Sequence, residues 1–149
     1  MLFCYKSLKC LKEAFPFEQI EDMGYNVAVN GQKTYNGVAI LSKTPLSDIV
    51  TNFPKNPVMD EARYIEALVN LQDGAIRVAS VYVPNGQSLD SEKYQVKLEF
   101  LDALSDYYSS LLSLEEVIVV GGDFNVAIAD IDVYDPITLN NSILVSLKD

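Results

Sequence analysis

The segment between residues 76 and 123 constrains the fold most, because two apolar strands flank one long helix there. Ile76–Val83 (IRVASVYV) is rich in β-branched residues, which favours a strand. Ser91–Leu112 carries apolar residues every three or four positions, which is the spacing of one face of an amphipathic helix. Val117–Val120 is an apolar run that predicts a buried strand. The segment therefore predicts a crossover within a layered α/β domain.

The residues before this crossover predict a helix, three more strands and a loop. Leu8–Met23 has helical character, and Gly24 ends it. Leu46–Glu61 contains two prolines and predicts a loop, and Ser142–Leu147 predicts a strand or a helix near the end of the chain. We expect one domain over residues 1–149, with mixed sheets. The three strands are Asn26–Asn30, Gly37–Lys43 and Arg63–Asn70.

The composition limits the chemistry that this chain can perform. It contains no histidine, which excludes a histidine base and histidine metal ligands within it. The net charge of -10 is unfavourable for DNA binding, because phosphate contacts need lysine and arginine. We expect solvated faces rather than a groove to account for most of the clustered lysines. These are Lys6, Lys9, Lys12, Lys93 and Lys97.

The two cysteines and the hydropathy pattern predict a cytoplasmic protein without a membrane anchor. Cys4 and Cys10 lack the spacing and partners of a zinc site, and we expect free thiols. No apolar run is long enough to cross a bilayer, and the first residues do not have the order of a secretory signal.

The segment Gly121–Asn125 (GGDFN) follows the apolar strand and carries the most informative polar pair. Alternate side chains of extended backbone point the same way, so Asp123 and Asn125 can face one ligand. A carboxylate and an amide suit a hard divalent cation and a phosphate oxygen. A turn in which both side chains bond only the backbone fits the spacing at least as well.

Three further polar residues lie at predicted strand ends. Tyr82 lies where active-site loops gather in layered α/β folds, although a tyrosine on a buried strand is usually a core residue. Asn85 follows in the adjoining loop. Arg63 can bond a phosphate or an acidic neighbour, and the neighbour is the simpler expectation in so acidic a chain.

Six short segments occur in a fixed order that resembles the exonuclease III family of bacterial apurinic/apyrimidinic endonucleases, over about Lys9 to Pro136. The resemblance implies part of a four-layer α/β sandwich of the deoxyribonuclease I type. It also places the chain in the wider endonuclease/exonuclease/phosphatase superfamily. The segments are Met23–Asn26 (MGYN), Gly31–Lys33 (GQK), Tyr35–Lys43 (YNGVAILSK), Ala62–Arg63, Tyr82–Gly86 (YVPNG) and Gly121–Asn125.

The resemblance also implies a reaction and roles for the polar residues. The reaction is Mg²⁺-dependent cleavage of double-stranded DNA at abasic sites and from 3′ ends, with Mn²⁺ as the alternative metal. Asp123 would position or activate the attacking water, and Asn125 would bind the phosphate or the metal. Tyr82 would contact the scissile phosphate or the leaving group, while Arg63 and Asn85 would lie along the DNA.

The chain departs from the family pattern at its start and beyond its last motif. No strand bearing the family's active-site asparagine is predicted before Leu8, and Ser7 aligns with the family's metal-binding glutamate. We therefore expect weakened metal binding, and we interpret Met1–Ser7 as a replacement start in a degraded or split gene copy. The family's C-terminal half, with an aspartate and an Asp-His pair, has no counterpart here. We expect an inactive fragment that exposes an apolar sheet face.

Two alternatives to an active nuclease follow. The chain could be a non-catalytic remnant, or a half that needs a separately encoded C-terminal half. A lipid phosphodiesterase of the same superfamily fits less well, because the sequence has no apolar or basic membrane face.

Overall fold

A computed structural model describes residues 1–139 of the chain as strands and helices in alternating groups. Two short 3-10 turns, at Lys12–Ala14 and Asp130–Asp132, lie between these elements. The predicted element at residues 142–147 lies outside the described residues. The strands are β1 (Leu2–Lys6), β2 (Asn26–Asn30), β3 (Val38–Ser42), β4 (Leu46–Val50), β5 (Tyr64–Leu71), β6 (Gly74–Tyr82) and β7 (Ile118–Asp123), and the helices are α1 (Phe17–Asp22), α2 (Glu92–Leu112) and α3 (Pro136–Leu139).

The strands form two sheets, which we call sheet A and sheet B. Sheet A has the order β1-β3-β2 and is antiparallel throughout. Sheet B has the order β4-β5-β6-β7, in which β6 and β7 are parallel and the other pairs are antiparallel. The parallel pair is joined by α2, as a crossover connection requires.

Apolar side chains fill the space between the two sheets and also cover their outer faces. Ile40 of sheet A and Ile65 and Val78 of sheet B belong to the cluster between the sheets. Phe100 and Leu104 of α2 pack on the other face of sheet B. Residues around α1 pack on the other face of sheet A. The result is four layers, which confirms the predicted layered α/β fold with mixed sheets.

Helix α2 begins and packs as its sequence predicts. Ser91 is its N-cap, and the Ser91 side chain accepts a hydrogen bond from the Tyr94 backbone amide at 3.1 Å. The rings of Phe53 and Phe100 meet edge to face at a centroid distance of 5.0 Å. This packing fixes the helix on sheet B, above the two strands that it connects.

A buried ionic cluster joins the end of α2 to sheet B. The fully buried Glu66 carboxylate accepts hydrogen bonds from Arg77 Nη1 and the Tyr107 hydroxyl, both at 2.8 Å. It also accepts one from the Tyr64 hydroxyl at 2.5 Å. Arg77 Nε donates to Glu116 Oε2 at 2.5 Å. All polar groups in this cluster have partners, so it ties the helix to the sheet.

The predicted helix over residues 8–23 is wrong, because only Phe17–Asp22 is α-helical. Lys9 has a positive φ of 56°, which an α-helix excludes. The Leu8 and Lys9 amides instead donate to the backbone oxygens of Gly37 and Asn36, at 3.2 and 3.1 Å. Hydrogen bonds to a distant segment therefore override the local helical pattern.

A strand that the sequence did not predict precedes Leu8. β1 pairs antiparallel with β3, from Leu2 opposite Ser42 to Lys6 opposite Val38. It contains no asparagine. Leu2–Lys6 is thus an edge strand of sheet A. The interpretation of Met1–Ser7 as a replacement start stays a prediction.

The predicted loop over residues 46–61 and the predicted buried strand over residues 117–120 also need correction. The loop begins with β4, an edge strand whose register against β5 is irregular between Ser47 and Val50. β7 is the other edge of sheet B, and 61% of Val117 and 46% of Val119 is exposed. Exposed apolar side chains lie at the edge strands and on the outer side of β1, at Phe3 and Tyr5, and the most exposed ones follow β7, at Ile128, Ile131, Tyr134 and Ile137. None of the helices in residues 1–139 has the length and hydropathy of a membrane span.

Candidate active site

The parallel strands β6 and β7 bring two predicted site residues together at their carboxyl ends. Their register places Tyr82 beside Asp123, and the Val83 amide donates to the Asp123 backbone oxygen at 2.9 Å. Gly122 allows this close approach. It has a φ of +148°, and a Cβ atom there would lie 1.9 Å from the Val81 oxygen. The GGDFN glycine therefore has a backbone reason, independent of any ligand.

Asn125 joins this pair through a compact turn. Its backbone amide donates to Asp123 Oδ1 at 3.0 Å, and its side-chain Nδ2 donates to the Val83 oxygen at 2.8 Å. Asn85 Nδ2 lies 3.5 Å from Asn125 Oδ1 in the adjoining loop, a long contact. The turn interpretation is therefore confirmed, and the same turn brings Asp123, Asn125 and Asn85 close together.

The structure adds Lys6 to the predicted site residues. The Lys6 ammonium forms an ion pair with Asp123 Oδ2, and it lies 5.3 Å from the centre of the Tyr82 ring. Sequence analysis missed this role because the two residues are 117 positions apart. The alternation of Leu2, Cys4 and Lys6 in a strand was the signal that could have placed Lys6 on the inner face of sheet A.

Arg63 lies on the same tyrosine and bonds the acidic neighbour that the sequence predicts. Its Nε donates to Glu61 Oε2 at 2.5 Å, and its Nη1 donates to the Tyr82 backbone oxygen at 3.2 Å. The guanidinium carbon lies 5.1 Å from the Tyr82 ring centre. Both Lys6 and Arg63 thus contact one aromatic ring at the edge where the strands end.

Several basic side chains line surface depressions next to these residues. Two of them, of about 540 and 480 Å³, share Glu61 and Arg63, and a third, of about 500 Å³, contains Lys6 and Asp123. Lys93 lines the first of them and Lys9 the second. Four of the chain's 11 basic residues therefore line this region, although the net charge is -10.

Lys97 does not have the solvated position expected for the lysine clusters. Its side chain is fully buried, with Nζ 5.5 Å from the Tyr94 ring centre. A Cβ atom at Gly86 would lie 3.3 Å from Lys97 Cδ and 3.2 Å from the Tyr94 ring. The Ser91 hydroxyl donates to the Gly86 oxygen at 2.5 Å. The first turns of α2 therefore hold the loop that carries Asn85.

The side chains at this position do not fit a Mg²⁺ or Mn²⁺ ion. Mg²⁺ requires several oxygen ligands in a near-octahedral arrangement, usually with carboxylates among them. Asp123 is the carboxylate at the strand ends, and its two oxygens already bond Lys6 and the Asn125 amide. No three histidine, cysteine, aspartate or glutamate side chains in residues 1–139 are grouped closely enough to hold a metal. Ser7, which aligns with the family glutamate, offers only a neutral hydroxyl.

Comparisons with known proteins give a consistent family assignment. The sequence pattern of the Endonuclease/Exonuclease/phosphatase family matches residues 5–144. The chain is 33% identical over 129 residues to exodeoxyribonuclease III of Haemophilus influenzae, covering 86% of this chain and 48% of that protein. The family match begins at residue 5, four residues before the boundary at Lys9 that the motifs indicate.

Solved structures give the same picture. A 3′ phosphatase, NExo, from Neisseria bound to a product DNA hairpin superposes with a TM-score of 0.90 and 34% identity, over 98% of this chain and 55% of that one. An AP endonuclease from Archaeoglobus fulgidus gives a TM-score of 0.89 and 35% identity, over 99% and 55%. The chain thus spans about half the length of these relatives.

Proposed function

This chain belongs to the endonuclease/exonuclease/phosphatase family, and from that premise we propose that it forms the phosphate-binding part of an exonuclease III-type DNA phosphodiesterase. The substrate would be double-stranded DNA with abasic sites or 3′ ends. The observation that carries the proposal is the pairing of Tyr82 with Asp123 on adjacent parallel strands. Lys6 and Arg63 both lie near the Tyr82 ring. The DNA-bound Neisseria relative supports the same class of ligand.

The charge distribution supports DNA as the ligand. A chain with a net charge of -10 repels a polyanion overall, so binding requires a local group of cations. Lys6, Lys9, Arg63 and Lys93 line the depressions at the strand ends, where they outnumber the carboxylates of Glu61, Asp123 and Asp132 by one. We infer that a DNA backbone lies along these depressions, with Asn85 and Arg63 beside it.

The individual side chains have distinct roles in this proposal. The Tyr82 hydroxyl lies at the end of β6 and would donate to a phosphate oxygen. Asn85 and Arg63 provide N–H donors along the backbone. Asp123 bonds Lys6 and Asn125, which leaves it poorly placed to activate water. We therefore propose that this chain binds DNA but does not cleave it alone.

A second candidate is a half that acts only together with a separately encoded partner. The observation that favours it is that β1 and β7, which contact each other across the two sheets, are both edge strands among the described residues 1–139. Exposed apolar residues, Phe3 and Val119 among them, lie on these two strands. Co-expression with the remaining half of the Haemophilus influenzae relative tests this candidate. A stable complex that cleaves abasic DNA supports it, whereas no association contradicts it.

Cytoplasmic location is a further part of the proposal. It rests on Cys4 and Cys10, which are free thiols in the structure, as expected in a reducing compartment. Alkylation of both thiols in protein taken directly from cells tests it, and a mixed disulfide would count against it.

Fluorescence anisotropy with abasic duplex DNA tests the main proposal. Replacing Arg63 with glutamine should weaken binding by about tenfold, because a charge-assisted phosphate contact is lost. Lys55→Gln is the matched control, because Lys55 is 80% exposed and pairs with Asp106 on α2. Equal affinities for Arg63→Gln and Lys55→Gln would argue against DNA binding at the strand ends.

A further inference from the structure

The positive charge next to Asp123 belongs to the chain itself. We propose that the Lys6 ammonium takes the place of a divalent cation at Asp123, so that this site binds a DNA phosphate group without a metal ion. The inference rests on the proposed function, because it takes DNA as the source of the phosphate. It concerns how the site is charged, which the family assignment does not determine.

The position of Lys6 is fixed by the packing of β1 on sheet B. A Cβ atom at Gly121 would lie 3.3 Å from Cys4 Sγ, so the Cys4 side chain packs directly on Gly121. The Ser80 hydroxyl donates to the Tyr5 backbone oxygen at 3.0 Å. Lys6 and Asp123 lie two residues beyond Cys4 and Gly121 on β1 and β7, and they meet as the alternation of side chains requires. The ion pair therefore follows from the register of the fold.

The ammonium satisfies the carboxylate in the way that a metal would. An ammonium has three N–H donors, and one of them bonds Asp123 Oδ2. The other Asp123 oxygen accepts from the Asn125 amide at 3.0 Å. A divalent cation at Asp123 would have to displace Lys6 or lie against its positive charge, and both are unfavourable.

Two cations with unused N–H donors lie near the Tyr82 ring, where they are available to a phosphate group. Lys6 keeps two N–H donors, and the Lys6 side chain is 44% exposed. Lys6 and Arg63 both lie near the ring of Tyr82, which carries its own hydroxyl donor. A 3′-terminal phosphate carries about two negative charges and suits two cations better than an internal diester does. Both cations already pair with carboxylates, so we expect modest affinity that weakens with salt.

Calorimetric titration with a duplex oligonucleotide that carries a 3′-phosphate tests the inference. At matched ionic strength, wild-type protein should bind equally well in EDTA and in Mg²⁺. Lys6→Gln should bind about tenfold more weakly, and Lys6→Arg should retain most of the affinity. Lys12→Gln is the control on the same segment, because Lys12 is exposed and lines none of the three depressions.

A second titration uses Mn²⁺ alone, followed by electron paramagnetic resonance. Lys6→Gln should bind Mn²⁺ more tightly than the wild type, because the competing cation is gone. Binding that needs Mg²⁺, or wild-type phosphate affinity in Lys6→Gln, would overturn the inference and leave the proposed function intact. Absence of DNA binding in both EDTA and Mg²⁺ would instead overturn the proposed function and the inference with it.

Discussion

Two arginines in this protein make nearly identical contacts in two very different regions. Arg63 Nε and Arg77 Nε each donate to a glutamate Oε2 at 2.5 Å, and the two side chains are 15% and 14% exposed. Arg77 also bonds Glu66, which is fully buried beneath α2, whereas Arg63 faces depressions at the strand ends. A salt bridge alone therefore does not show whether an arginine stabilises the fold or binds a ligand. The surroundings of its remaining N–H donors distinguish the two roles.

The largest expected effect is a loss of stability when the buried arginine is replaced. Arg77→Gln leaves the Glu66 carboxylate buried without its cation, so the free energy of unfolding should fall by about 3 kcal/mol. Arg63→Gln should change it by less than about 1 kcal/mol, because Glu61 is 38% exposed and water replaces the lost partner. Urea denaturation of both variants measures this. Equal losses would show that the two bridges are equivalent.

The next effect is alkaline destabilisation through the same buried cluster. Burial and the hydrogen bond to Glu66 raise the pKa of Tyr107 to about 12, and burial raises the pKa values of Tyr64 and Tyr108 further. The folded state therefore keeps protons that the unfolded state releases above pH about 10, so stability is complete below that pH and falls above it.

Each tyrosine still protonated in the folded state should contribute about 1.4 kcal/mol of lost stability per pH unit. Urea midpoints at a series of alkaline pH values measure the slope. Tyr107→Phe removes one of the titrating groups and should reduce that slope. A midpoint that stays constant with rising pH would contradict the cluster's structural role.

A double substitution designed to create metal binding tests the exposed site at the strand ends. Ser7 aligns with the family's metal-binding glutamate and lines the same depression as Tyr82. In the double variant Lys6→Gln with Ser7→Glu, a second carboxylate replaces the ammonium, and Mn²⁺ affinity should rise about tenfold above that of Lys6→Gln alone. Electron paramagnetic resonance of Mn²⁺ measures it. No gain would mean that Ser7 does not occupy the ligand position.

The smallest effect concerns the stability of the open ion pair. Lys6→Gln should change the free energy of unfolding by no more than about 1 kcal/mol, because both side chains of the Lys6–Asp123 pair are partly exposed. Thermal denaturation beside wild type measures this. A loss as large as that of Arg77→Gln would assign Lys6 to the structural core rather than to the ligand site.

The sequence predicted the elements whose local pattern agrees with their final surroundings. α2, the strands around it and the turn at Gly121–Asn125 were predicted because their periodicity and glycines match the packing. β1 was missed because it is short and its partner β3 lies more than 30 residues away. The helix predicted over residues 8–23 failed because Leu8 and Lys9 bond a distant loop.

The candidate site was predictable only in part for the same reason. Tyr82, Asp123 and Asn125 lie on adjacent strands or a turn, and their motifs carry the family resemblance. Lys6 reaches Asp123 only through the packing of one sheet on the other. Such a contact depends on the register of two sheets, and residue spacing along the chain does not encode it.

The most direct test of DNA binding at the strand ends compares the DNA affinities of Arg63→Gln and Arg77→Gln. Both are measured by anisotropy with the same abasic duplex, at a temperature where circular dichroism shows each variant to be folded. We expect about tenfold weaker binding for Arg63→Gln and wild-type binding for Arg77→Gln. Wild-type affinity in Arg63→Gln, or an equal loss in both variants, would contradict it.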